Sequence, residues 1–229
     1  MGNVTKKLYV DNNNTTNNFY TWYEYDQAGR LKKVLTNREN DRNDAVTDAN
    51  YNQYIAGGQV KQLILGNSVQ TVNYKYNERD WLKEISSSKY WQHIGYNNSE
   101  TWGGFTFQPR YNGNISWITY SIYGLNFTVG GHSSSQVGWM YTYDNANRLT
   151  NADFGSGYYN TWNTTSAYDL PAMSYDQNGN ITNLQRNNGS AGALDRLAYT
   201  YQANTNCLTS ITNTASGTQT YNYTYDKGA

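Results

Sequence analysis

A nine-residue pattern, Tyr-x-Tyr-Asp-x-x-Gly-Arg-Leu, returns along this chain and constrains its fold more than any single residue does. The fullest copy carries Tyr23, Tyr25, Asp26, Gly29, Arg30 and Leu31. Other copies place Tyr74 and Tyr76 before Leu82; Tyr141, Tyr143 and Asp144 before Arg148 and Leu149; and Tyr175, Asp176 and Gly179 before Ile181. Tyr199 and Tyr201 lead to Leu208 with one extra residue, Tyr54 leads to Val60 without its Asp, and a distorted copy runs from Phe105 and Phe107 to Ile115. A recurring unit too small to bury its own core points to a stacked array. The aliphatic anchors recur at irregular steps of 22 to 34 residues, so the joining loops vary while the turn is kept.

Tyr-x-Tyr alternates, which puts both rings on one face of a strand. Asp-x-x-Gly supplies turn chemistry: the carboxylate bonds its own downstream backbone, and Gly accepts positive φ without a steric cost. Arg-Leu then opens a second strand. Each unit is thus expected to be a β-hairpin, and the chain an all-β fold of successive antiparallel hairpins forming a curved or coiled sheet, partial shell or barrel-like. After the turn the aliphatics sit three apart, as in Leu31 and Val34 or Ile181 and Leu184. Strict alternation puts them two apart, which leaves either a bulge or a strand with both faces covered. With 24 Tyr and 7 Trp among 229 residues, cross-strand aromatic pairs are expected to dominate stability.

The formal net charge is zero and basic residues are scattered, so neither nucleic acid nor an anionic membrane is an expected partner. No apolar run approaches the ~20 residues of a membrane span, and no leader peptide opens the sequence. The single cysteine, Cys207, stands where Arg30 and Arg148 stand in fuller copies and is read as structural.

Residues 1–229 read as one repeat segment, with poorly matching insertions at 86–104 and 119–139; the second holds an extra strand over 125–129. Gly2-Asn3-Val4-Thr5 matches Gly179-Asn180-Ile181-Thr182, the second half of a unit, and Tyr223-Thr224-Tyr225-Asp226 matches a first half. The segment is therefore expected to be a fragment of a longer chain. Its two halves are expected to pair with one another, closing a barrel-like ring, or from chain to chain.

These residues resemble the YD repeats of the Rhs (rearrangement hotspot) family, whose relatives include the C components of insecticidal toxin complexes and the teneurins. The resemblance runs from about Gly2 to Gly228. The stretch from Tyr74 to Leu82, with Tyr111 to Ser116, is similar in particular to Rhs proteins of Bacteroidetes. What it implies is a structural shell segment, from a secreted or cell-surface parent, that encloses or presents a C-terminal toxin. The implied partners are the remainder of the parent shell and its toxin cargo, together with self-association through exposed sheet edges. The Asp-Pro-x-Gly-Leu-like motif that marks self-cleavage in many members does not occur here, so that activity does not carry over.

No enzymatic role, cofactor or metal is expected. Asp176-Gln177-Asn178-Gly179-Asn180 looks like the start of a calcium loop, but Ile181 and Asn187 stand where an EF-hand needs its Gly and its acid. His132 beside Ser133 has only His93 as a companion histidine, and no Gly-x-Ser-x-Gly elbow occurs. The rival reading is an extracellular carbohydrate-binding or adhesive module that stacks sugars on exposed aromatics. Trp91 and Trp102, in the first insertion, are its candidate glycan contacts.

Overall fold

The computed structural model describes residues 3–10, 18–97, 101–102, 105–129, 132–158 and 161–226; of residues 101, 102, 105, 106, 129, 132, 133, 158 and 161 only the backbone is described. Every regular element among them is a β-strand, and all strand pairs are antiparallel. The chain divides into two compact units, residues 1–93 and 94–229.

In the first unit, strands pair in chain order: β1 (Lys6–Tyr9), β2 (Phe19–Tyr25), β3 (Leu31–Asn37), β4 (Val46–Tyr54), β5 (Val60–Leu65), β6 (Gln70–Tyr76), β7 (Leu82–Ser86) and β8 (Tyr90–Gly95), whose last two residues belong to the second unit. The second unit holds two short hairpins, β9 (Thr101–Trp102) with β10 (Phe105–Thr106) and β12 (Phe127–Val129) with β13 (His132–Ser134). The second of these separates β11 (Trp117–Ile122) from β14 (Gln136–Tyr143), which pair with each other. β14 pairs with β15 (Leu149–Tyr158), and β15 with β16 (Thr161–Thr164). A second sheet runs β17 (Ala172–Tyr175), β18 (Ile181–Asn187), β19 (Ala193–Tyr201), β20 (Leu208–Asn213), β21 (Gln219–Asn222). A two-bond bridge between Ala152 and Leu170 ties it to β15.

The three-residue spacing of the aliphatics has a single cause, a bulge. In each repeat the register slips by one residue just before the second tyrosine: Tyr25 faces Leu31 and Tyr23 faces Val34. Tyr76 faces Leu82 and Tyr74 faces Ile85. Tyr175 faces Ile181, and Tyr201 faces Leu208 with Tyr199 opposite Ile211. The extra residue restores the pairing of ring against aliphatic that strict alternation would lose.

The expected ring closure is corrected. Among the described residues β1 bonds only β2 and β21 bonds only β20, so each keeps one edge without a strand and the sheets are open. Apolar burial is thin and concentrated in the second unit. Val137, Phe154 and Ala167 form its core with Tyr120, Phe127 and Trp139 packed around them. Trp117 is 0% exposed beside Phe107, its ring centroid 5.3 Å away. Glycines make room for the large rings. A Cβ on Gly95 would lie 2.1 Å from Trp117, and one on Gly155 would lie 2.0 Å from Trp162.

Candidate functional site

The predicted repeat residues come together at a junction between successive hairpins. The turn is built first. Asp26 Oδ1 accepts from the backbone N–H groups of Ala28 and Arg30, both at 2.9 Å, and Gly29 N–H donates to the Asp26 carbonyl at 3.0 Å. Asp144 and Asp176 repeat this geometry, and Asn77 does so with its amide oxygen. The residue three after the acid holds positive φ each time: Gly29 at 77°, Gly179 at 89°, Asn147 at 61° and Asp80 at 59°. Asn and Asp are the side-chain-bearing residues most tolerant of that region, which explains how the turn survives without glycine.

The acid then aims the arginine. Asp26 Oδ2 accepts from Arg30 Nε, and Asp144 Oδ2 from Arg148 Nε, both at 2.7 Å. Each guanidinium lies over the second tyrosine of the following repeat: Arg30 is 4.4 Å from the Tyr54 ring centroid and Arg148 is 4.5 Å from that of Tyr175. Such stacking contributes about 0.5–1 kcal/mol at a partly exposed site. Arg148 also donates to the Asp176 carbonyl at 3.1 Å.

The tyrosine closes the lock. Its hydroxyl donates to the backbone carbonyl of the aliphatic anchor one repeat back. Tyr25 donates to Val4 at 2.8 Å, Tyr76 to Val60 at 2.8 Å, Tyr143 to Ile115 at 2.7 Å, Tyr175 to Leu149 at 2.8 Å and Tyr201 to Ile181 at 2.9 Å. Tyr54 makes the same bond to Leu31. The hydroxyls of the first tyrosines, Tyr23, Tyr74, Tyr141 and Tyr199, make no such bond among the described residues. Where Arg is replaced, the lock survives: the Asn180 amide bonds Asp176 Oδ2 and Asn206 Oδ1, each at 2.9 Å, while Tyr201 still reaches Ile181. In the distorted copy Phe107 has no hydroxyl and is instead buried against Trp117.

The electrostatics follow from this construction. Backbone N–H groups, first that of Arg30 and first that of Arg148, hold Asp26 and Asp144 below the usual carboxylate range, and the Asn180 side chain does most to lower Asp176. These carboxylates are spent as acceptors within their own turns. Burial raises the hydroxyls of Tyr54, Tyr74, Tyr76, Tyr143, Tyr175, Tyr199 and Tyr201, and pushes Tyr141 up to about 12.

The remaining candidates lie elsewhere. Trp91 is half-buried on β8, its ring 5.6 Å from that of His93. The side chains of Trp102 and His132 lie outside the described residues. Cys207 is a half-buried free thiol. Each of the six described tryptophans is buried or half-buried. Sequence reasoning missed three features. One is the tyrosine-to-carbonyl bond. Another is the turn at Asn188, which copies the Asp26 geometry without preceding tyrosines. The third is Asp169, whose Oδ1 accepts the Phe154 N–H at 2.6 Å and whose carboxyl is raised by burial.

No protein-family model matches the sequence, and no curated protein does. Solved structures match by fold. The crystal structure of TcdB2-TccC3 without its hypervariable C-terminal region aligns with 96% of this chain at a TM-score of 0.51 and 13% identity, over 10% of that chain. The crystal structure of TcdB2-TccC3 aligns with 92% at a TM-score of 0.50 and 12% identity, over 12% of that chain. This sequence thus spans about a tenth of the length of the chains that it matches. What it shares with them is an all-β fold.

Proposed function

We propose that this chain is a wall segment of an Rhs-type parent, a structural element without catalysis of its own. In the parent, a secreted or cell-surface protein, it joins further repeats, and together they enclose or present a C-terminal toxin. One observation carries this reading: the repeat spends its chemically capable side chains on holding neighbouring hairpins together. Asp, Arg and Tyr, which elsewhere serve as bases, cation clamps and acids, close the same lock at Arg30–Tyr54 and at Arg148–Tyr175. The likeness of fold to TcdB2-TccC3 supports it further.

The test is protease protection. In a parent that carries this segment and its C-terminal region, the C-terminal region is expected to resist digestion under conditions that degrade it when it is expressed alone. Equal digestion in both contexts would contradict enclosure. Binding of the isolated chain on a glycan array, lost in Trp91→Ala with the fold retained, would favour the carbohydrate-binding rival.

A further inference from the structure

One lock has a sulfur beside it. Tyr23, Tyr74, Tyr141 and Tyr199 each stand two residues before the second tyrosine of their copy; before Tyr175 that place holds Met173. Residues two apart on a strand point to one face, which brings the two side chains together. The Tyr175 hydroxyl donates to the Leu149 carbonyl at 2.8 Å, and Met173 Sδ lies 2.7 Å from the same hydroxyl. No other lock has a thioether in that place: Tyr25, Tyr76, Tyr143 and Tyr201 follow a tyrosine by two residues, and Tyr54 follows Asn52.

The hydroxyl has one proton to give. A thioether is a weak acceptor, so the carbonyl keeps the bond while the sulfur stays reduced. A sulfoxide differs in kind: its oxygen accepts strongly, and the side chain that carries it is polar. Set against this hydroxyl, it weakens the lock in either of two ways. The proton turns to the sulfoxide and leaves the Leu149 carbonyl unpaired, or it stays and two oxygens face each other with no proton between them. Met173 is half-buried beside the exposed Ser174 and is not sealed in the core.

We propose that Met173 is an oxidation site through which a peroxide loosens the Tyr175–Leu149 lock. The sulfur lone pair attacks one oxygen of hydrogen peroxide. An S–O bond forms, the O–O bond breaks, and the second oxygen leaves as water with both protons. The sulfur is oxidised by two electrons and the peroxide is reduced by the same two. Thiol-dependent methionine sulfoxide reductases run the change back. The loosening is confined to the junction of the β14–β15 and β17–β18 hairpins, because the other locks carry no sulfur at that position. The proposal depends on the Tyr175 bond and not on enclosure, so its failure leaves the protease test of the wall reading untouched.

Hydrogen peroxide on the full chain tests it, with peptide mass mapping to place the added oxygen and urea unfolding to read the effect. Sulfoxide is expected at Met173. The folded-to-unfolded ratio of the wild type should then fall about fivefold further than that of Met173→Leu, the equivalent of one lost hydrogen bond. Leucine keeps the apolar volume and cannot be oxidised there. Methionine sulfoxide reductase with dithiothreitol should restore the wild-type ratio. Tyr175→Phe separates capture of the hydroxyl from the general cost of a polar side chain. It keeps the ring and Met173 but has no proton to lose, so peroxide should lower its ratio no more than it lowers that of Met173→Leu. Oxidation of Met140 weighs on all three chains alike. A Met173 that peroxide leaves unmodified, an equal fall in the wild type and Met173→Leu, or a fall in Tyr175→Phe as large as in the wild type would each overturn the proposal.

Discussion

Trp117→Ala is expected to destabilise the protein by about 3–5 kcal/mol, read as a fall in the urea midpoint. Trp117 is fully buried, sits against Phe107 and occupies the space left by the missing Cβ of Gly95. The effect is large because there is little else to share it: ten apolar side chains are buried among the described residues, and a domain's net stability is about 5–15 kcal/mol. Gly95→Ala approaches the same site from the other side. Its Cβ would meet the ring at 2.1 Å, and overpacking of this kind costs about 1–3 kcal/mol or more. The two changes should not add. Once the ring is gone the methyl has room, so the double variant should be no less stable than Trp117→Ala. Additive losses would show that Gly95 serves some other purpose.

The second large effect is expected in base. Burial raises the hydroxyls of Tyr54, Tyr76, Tyr143, Tyr175 and Tyr201, the donors of the inter-repeat bonds, above the ordinary tyrosine value of 10.0. The folded state therefore holds these protons more firmly than the unfolded state does. Their contribution is complete below pH 10 and is lost as pH rises from there through the folded values. Tyr141, raised to about 12, withdraws about 2–3 kcal/mol over that span by itself. Ionisation also turns each lock donor into an anion facing a carbonyl. The share of the phenolate absorbance that belongs to these buried tyrosines should thus appear together with the loss of circular dichroism, in one cooperative alkaline transition above pH 10. A phenolate absorbance that reaches its full value for all 24 tyrosines while the β signal persists would contradict the account.

How much of this was legible in the residues divides along a physical line. Side chains that speak to their own hairpin were readable: Asp26 and Gly29 make the turn expected of them, and Tyr23 and Tyr25 face the aliphatics of the next strand. The three-residue step from Leu31 to Val34 was visible, but spacing alone does not separate a bulge from a doubly covered strand; the register slip between Glu24 and Tyr25 does. The lock was not legible because its acceptor is a backbone carbonyl 16 to 28 residues away, and every residue has one. Nothing in the letter at position 149 says that Tyr175 will reach it. The turn at Asn188 was missed for a different reason: no Tyr-x-Tyr precedes it, so the repeat gave no frame in which to notice it. The second unit's core carried a usable signal in Gly95 and Gly155, strand glycines standing where large indoles must fit.

The central claim is that the second tyrosine of each repeat, through its hydroxyl, fastens its hairpin to the one before. Single Tyr→Phe changes test this most directly, since they delete the hydroxyl and keep the ring. At Tyr54, Tyr76, Tyr143, Tyr175 and Tyr201 the urea midpoint should fall by the equivalent of about 1–2 kcal/mol each, the cost of a lost donor and an unpaired carbonyl. At Tyr23, Tyr74, Tyr141 and Tyr199 the same change should leave it within about 0.5 kcal/mol of the wild type. Equal losses in the two sets, or none in either, would contradict the account.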